Sequence, residues 1–186
     1  MAQGQIRIIS GMWRGRKLKV PDLPGLRPTT DQIRETVFNW LQTKIVGAHC
    51  LDLFTGSGAL GFEALSRGAE QVVMIDQSPV VVANVREQLK LLKAFNAEVY
   101  QANVPQGLKP PVRLFDVVFL DPPFGKNLLL PCCFYLEENK YLANNAYIYL
   151  ESENPIDETD LPSHWKLIKS KKTGQVAYHL AQRIIE

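Results

Sequence analysis

The 186-residue sequence predicts an α/β fold, a mainly parallel sheet covered on both faces by helices. Three observations predict it. From His49 onward, short apolar runs suited to buried strands alternate with longer helical stretches. The first run leads into a glycine-rich turn, Gly56-Ser57-Gly58-Ala59-Leu60-Gly61, which opens a helix. Finally, Asp76, Asn103 and Asp121 fall at the carboxyl ends of predicted strands, where doubly wound sheets bind ligands.

Each element has its own signal. Ile6-Arg7-Ile8 and Leu18-Lys19-Val20 alternate apolar and charged side chains, so residues 6–20 read as two short strands turned at Ser10-Gly11 or Arg14-Gly15. Pro21, Pro24, Gly25 and Pro28 make 21–28 a linker. Thr29, Thr30 or Asp31 can cap the next helix, whose Ile33, Val37, Phe38 and Leu41 share one face. Residues 50–54 are an apolar strand, followed by the glycine turn and a helix to about residue 67. Further strands are expected at 71–75, 98–102, 114–120 and 146–150, with helices from Ser78-Pro79 to about residue 93 and over 127–138. Residues 165–171 and 175–182 read as a closing hairpin turned at Thr173-Gly174.

Composition narrows the class. A hydrophobic fraction of 46% supports a sizeable core, yet no apolar run approaches the ~18–20 residues of a membrane span. The opening Met-Ala-Gln-Gly-Gln-Ile-Arg lacks a signal-peptide apolar region, so a soluble cytoplasmic protein without a membrane partner is expected. Cys50, Cys132 and Cys133 suggest neither a disulfide framework nor zinc spacing, and His49, His164 and His179 show no metal pattern; no metal is expected. Charge is unevenly spread. Residues 1–27 hold Arg7, Arg14, Arg16, Lys17, Lys19 and Arg27 against Asp22 alone, a net +5, while the remainder carries −3. That asymmetry suits a polyanion-binding arm, in which Trp13 either stacks on an unpaired base or anchors the hairpin. Lys166, Lys169, Lys171 and Lys172 form a second basic group near the C-terminus, read first as a solvated strand face and only second as an RNA contact.

The glycine turn fits G-x-G-x-x-G between a strand and a helix. Gly56 and Gly58 let a ligand approach the backbone closely. Asp76 follows Gly56 by 20 residues and ends the next strand, where a carboxylate accepts from both ribose hydroxyls. Asp52, four residues before Gly56, can engage a charged amino-acid group or position the loop. An acid there favours S-adenosylmethionine over a dinucleotide.

Asp121-Pro122-Pro123-Phe124 follows the fourth strand. Two prolines stiffen the chain and aim the Pro122 carbonyl beside the Asp121 carboxylate. These two acceptors can hold the two N–H donors of a base amino group and raise electron density on its nitrogen. Asp121 can also take the proton released, and Phe124 offers a stacking face. The target base must be unpaired or flipped out to reach such a site.

With these residues in view, the chain resembles the bacterial RsmD-type 16S ribosomal RNA guanine-N(2) methyltransferases. The segments that carry the likeness begin with Arg7-Ile8-Ile9-Ser10-Gly11-Met12-Trp13-Arg14-Gly15-Arg16-Lys17-Leu18 and Leu26-Arg27-Pro28-Thr29-Thr30-Asp31. They continue through Arg34-Glu35-Thr36-Val37-Phe38-Asn39-Trp40-Leu41, the 51–61 loop region, Asp121–Phe124 and Gly174-Gln175-Val176-Ala177-Tyr178. The resemblance implies a Rossmann-like class I methyltransferase with a seven-stranded, mostly parallel sheet whose last strand is antiparallel, plus an N-terminal β-hairpin. It implies residues 1–28 as a basic hairpin and linker and 29–186 as the methyltransferase domain. It implies S-adenosylmethionine bound by Asp52, Gly56, Gly58, Asp76 and Asn103, with Arg27, Thr29 and Thr30 closing over it. Asp121, Pro122 and Phe124 would be catalytic. Arg7, Trp13, Arg14, Arg16, Lys17 and Lys19 would bind 16S rRNA of the small subunit, the protein acting as a monomer. Two alternatives stand beside this: a DNA adenine or cytosine amino-methyltransferase, or a non-catalytic RNA-binding assembly factor.

Overall fold

The computed structural model describes residues 4–185; the first three residues of the 1–28 segment and the last residue of 29–186 lie outside them. The N-terminal strands are β1 (Gln5–Arg7) and β2 (Lys17–Lys19), paired antiparallel with Ile6 opposite Leu18. Ile6, Ile8, Leu18 and Val20 are buried in one hydrophobic cluster with residues of the main sheet and its helices, so the hairpin packs as part of the body.

Helix α1 (Asp31–Trp40) takes Thr30 as its cap, the hydroxyl accepting from the Ile33 amide. It buries Ile33, Val37 and Phe38, the predicted face. Next come β3 (His49–Asp52), α2 (Ala59–Ser66), β4 (Gln71–Asp76), α3 (Pro79–Leu92), β5 (Ala97–Gln101) and β6 (Phe115–Leu120). The chain ends with α4 (Leu129–Glu138), β7 (Leu142–Ser152), β8 (Trp165–Thr173) and β9 (Val176–Arg183). The main sheet has seven strands in the order β5-β4-β3-β6-β7-β9-β8. The pairs from β5 to β7 are parallel, and β9 runs antiparallel between β7 and β8.

Several boundaries differ from expectation: α4 starts at 129 rather than 127, β8 runs to 173 so that its turn falls at Gly174-Gln175, and two others have a local cause. Strand β3 stops at Asp52, because Leu53 and Phe54 already turn into the glycine loop. Strand β7 begins four residues before the expected 146, since polar Asn144 and Asn145 obscure its start.

The two faces carry separate cores. One joins the hairpin, α1, α2 and α3 to Met74, Phe119, Tyr149 and Tyr178. The other joins α4 to Leu51, Ile75, Leu120 and Leu150. Gly61 lets α2 approach the sheet, since a β-carbon there would stand 2.6 Å from Met74 Cε. No helix among the described residues is long and apolar enough to cross a membrane.

Candidate active site

Strand order reverses direction at β3 and β6, the point where an open α/β sheet leaves a crevice at its carboxyl ends. Asp52 ends β3, Asp76 ends β4, and Asp121 follows β6. Glu151 lies near the end of β7, one register step beyond the Leu120–Leu150 pair. The four carboxylates thus share one end of the sheet. Alternation puts them on the face that carries Met74, Phe119 and Tyr149.

The glycine loop is held from inside. The Gly56 amide donates to Asp76 Oδ2 at 2.9 Å, and the Ser78 amide to Asp76 Oδ1 at 2.8 Å. Asp52 is buried, and its Oδ2 accepts from the Gly61 amide at 3.2 Å. Of the two roles open to Asp52, positioning the loop is the one these contacts display. Gly58 caps α2 with φ +81°, and a β-carbon there would stand 2.5 Å from the Phe62 ring. Leu26 lies over the loop, its Cδ1 3.0 Å from where a Gly56 β-carbon would be.

Asp121 is half-buried, Pro122 buried and Phe124 exposed at 42%. The buried Thr29 hydroxyl donates to Asp121 Oδ2 at 3.1 Å. The linker therefore reaches the crevice through Thr29, while Thr30 caps α1 and Arg27 stays at the surface. Asn103 is exposed just beyond β5, and the neighbouring Ala102 amide donates to the Asp76 carbonyl. The structure thus gathers Asp52, Gly56, Gly58, Asp76, Thr29 and Asp121 at one crevice, with Asn103 along its rim.

The electrostatics are unusual. Among the described residues, none of the four carboxylates has a lysine or arginine within salt-bridge distance. Burial, partly offset by the Gly61 amide, pushes Asp52 up to about 7. Asp121 is held well above the usual carboxylate range, first by burial and then by the Glu151 charge; the Thr29 hydrogen bond acts the other way. Burial also raises Glu151, against the Tyr149 hydroxyl that donates to it at 2.7 Å. A crevice of crowded, uncompensated carboxylates favours a cationic occupant. That donor set, with the glycine cradle and the Asp76 carboxylate, fits a sulfonium nucleoside bearing an ammonium group.

The basic hairpin is fixed about Glu63 on α2, which is 0% exposed. Its Oε2 accepts from the Ile9 amide at 2.9 Å and Arg34 Nη1 at 3.5 Å, and its Oε1 from the Ser10 amide at 3.0 Å and Arg67 Nε at 2.8 Å. Arg34 also donates to the Arg7 carbonyl and pairs with Asp31. Arg7, Arg14, Arg16, Lys17 and Lys19 are exposed. Trp13 is half-buried against the core, so it anchors the turn at least in part. Arg7 and Arg14 line a cavity of about 190 Å³ with Asp31 and Glu35.

Glu63, Glu151 and Leu26 did not stand out in the sequence. Glu151 had a usable signal: it follows the apolar 146–150 run, the criterion that singled out Asp76 and Asp121. Glu63 had a weaker one, a lone acid inside the largely apolar α2.

A family model described as Conserved hypothetical protein 95 matches residues 6–182. The chain belongs to this family. Relatives bear out the resemblance to the RsmD type. Ribosomal RNA small subunit methyltransferase D of Escherichia coli (strain K12) is 51% identical over 180 residues, 97% of this chain and 91% of that protein. Its namesake in Haemophilus influenzae is 46% identical over 185 residues, 97% of this chain and 95% of that protein. Among solved structures, yhhF from Escherichia coli superposes with a TM-score of 0.91 at 50% identity, covering 98% of this chain and 100% of that one. HI0767 from Haemophilus influenzae gives 0.82 at 42%, covering 98% and 100%. The chain's seven-stranded fold is thus shared with these two solved structures over nearly its whole length.

Proposed function

We propose that this protein methylates small-subunit ribosomal RNA, transferring the methyl group of S-adenosylmethionine to the N(2) amino group of one guanine in 16S rRNA. The observation that carries the reading is the placement of Asp121-Pro122-Pro123-Phe124 beside an uncompensated carboxylate crevice at the sheet's switch point. Relatives up to 51% identical are named ribosomal RNA small subunit methyltransferases, which supports RNA as the substrate. Residues 1–28 serve as the substrate arm and 29–186 as the catalytic domain of a cytoplasmic monomer.

When bound, S-adenosylmethionine supplies an electrophilic methyl group on a cationic sulfur. Asp76 and the loop at Gly56 and Gly58 would hold its ribose and backbone-facing edge, Asn103 its base, and Asp52 would face its charge. Arg27, Thr29 and Thr30 line the entry. Asp121 and the Pro122 carbonyl accept from the guanine amino group and orient the nitrogen lone pair, so positioning contributes much of the rate. Phe124 stacks on the flipped base. Asp121 then accepts the proton released from nitrogen, a transfer that Glu151 next to it favours by disfavouring its ionised form. Arg7, Arg14, Arg16, Lys17 and Lys19 contact phosphates, and the remaining face of Trp13 a base.

The test uses small subunits from a strain lacking the gene, purified protein and methyl-labelled cofactor. Label in one guanine of 16S rRNA is the expected result. Label confined to DNA or protein, or none despite cofactor binding, overturns the proposal.

A further inference from the structure

Strand β8 is the free edge of the main sheet beyond β9, and its lysines fall into two groups. Lys166, at the end away from the crevice, pairs with Glu158 at 3.0 Å. Lys169, Lys171 and Lys172 lie toward the crevice end. They are exposed, and none has a carboxylate within 4.0 Å among the described residues.

Register sets which face they occupy. Leu167 pairs with Ala181, yet Lys169 pairs with Leu180, so Ile168 is an extra residue at a bulge. Leu167 and Ala181 belong to the α4 face, whereas Leu180 and Tyr178 belong to the face of α1 and the hairpin. Regular alternation would have kept Lys169 and Lys171 on the face of Leu167. The bulge turns both onto the opposite face, the one that carries the four carboxylates.

Level along the strands completes the picture. Lys171 pairs with Tyr178, and Tyr178 with Glu151. Asp121 is level with Glu151, one step past Leu120–Leu150. One cross-strand row therefore runs Asp121, Glu151, Tyr178, Lys171, and three strand spacings place Lys171 about 14 Å from Asp121 along it. An edge strand needs only some charge to resist pairing with another sheet. That need does not explain why the unpaired lysines gather at the crevice end, nor why a bulge turns two of them to the crevice face.

We infer that Lys169 and Lys171 form a second phosphate-binding surface, on the side of the crevice formed by β8, which grips the RNA backbone flanking the target nucleotide. This rests on the RNA-methyltransferase reading above. The hairpin and β8 then hold the RNA from two sides, with neither contact reading a base.

The test is equilibrium binding of small ribosomal subunits from the strain lacking the gene, by wild-type protein and by the Lys169→Ala/Lys171→Ala double variant, from 50 to 200 mM KCl. Two lost phosphate contacts are expected to flatten the slope of log affinity against log salt by about 1.4 on single-stranded RNA. KM for RNA should rise while kcat and cofactor affinity hold, and Lys166→Ala should match wild type. An unchanged salt slope and KM in the double variant, with wild type binding normally, overturns this surface alone. Wild-type protein without affinity for these subunits overturns the substrate reading and this surface with it.

Discussion

Replacing Glu63 by glutamine changes one atom and no volume, yet it should destabilise the protein severely. Each carboxylate oxygen faces two donors: Ser10 N–H and Arg67 Nε at one, Ile9 N–H and Arg34 Nη1 at the other. A glutamine amide must put its NH2 group at one of those positions, so either orientation opposes donor to donor. Arg34, 1% exposed, would also lose its buried counter-charge. Breaking a buried pair of this kind costs about 3–5 kcal/mol. That is a large share of the ~5–15 kcal/mol a domain has in total. At roughly 2–4 °C per kcal/mol for a chain of this size, the melting temperature should fall by about 6–20 °C.

Two assays check this together. Calorimetry gives the shift in melting temperature. Limited trypsin digestion reports the hairpin, since Arg14, Arg16 and Lys17 should become cleavable as Ile9 and Ser10 detach from α2. A variant that melts within about 2 °C of wild type and resists trypsin equally would refute Glu63 as the hub.

Other outcomes follow from the same contacts. Asp121→Ala should abolish methyl transfer while cofactor binding stays measurable by calorimetry; retained turnover removes Asp121 from its catalytic role. Phe124→Ala should raise KM for RNA about 5- to 150-fold, the loss of ~1–3 kcal/mol of stacking, leaving cofactor affinity intact. Gly11 has φ +84°, and a β-carbon there would stand 1.8 Å from the Ser66 carbonyl oxygen, so Gly11→Ala should undock the turn and expose it to trypsin. For pH, Asp52 is raised to about 7, so the stability its protonated form confers is complete at acid pH and lost as pH rises through about 7. Unliganded protein should then melt lower at pH 8 than at pH 5, and Asp52→Asn should reduce that difference. Cofactor binding should conversely release protons near pH 6, read as a buffer-dependent heat in titration calorimetry, and a buffer-independent heat would count against the crevice as the cation site.

The parts of this site visible in the sequence are those whose signal is local. A strand, a glycine turn and a helix occupy consecutive residues, so Asp52, Gly56 and Gly58 could be placed from neighbours alone. Asp76 and Asp121 each end an apolar run. Thr29 was visible only through family resemblance, because its partner Asp121 lies 92 residues away. Glu63 was hidden for the same reason: its amide partners are 53 and 54 residues distant, and on α2 it interrupts an apolar run without a period to explain it. The β8 bulge leaves no mark in composition. Trp165–Thr173 has the lysines of a solvated strand either way, and only the pairing with β9 reveals which face they take.

The pinning of the N-terminal segment bears directly on recognition. The linker between β2 and α1 is rich in proline and glycine, and on composition alone it would let the hairpin swing. The Asn84 side chain instead donates to the Lys19 carbonyl at its start, Leu26 covers Gly56 in its middle, and Thr29 bonds Asp121 near its end. The hairpin itself is clamped to α2, the helix that opens from the glycine loop. Its cations therefore stand at set distances from Asp121 before any RNA arrives. A hairpin on a loose tether would have to be ordered during binding, at about 1–2 kcal/mol for each backbone residue fixed. Here that ordering is completed on folding, so on the proposed reading the attraction between hairpin and phosphate would be available to hold the target base against Asp121.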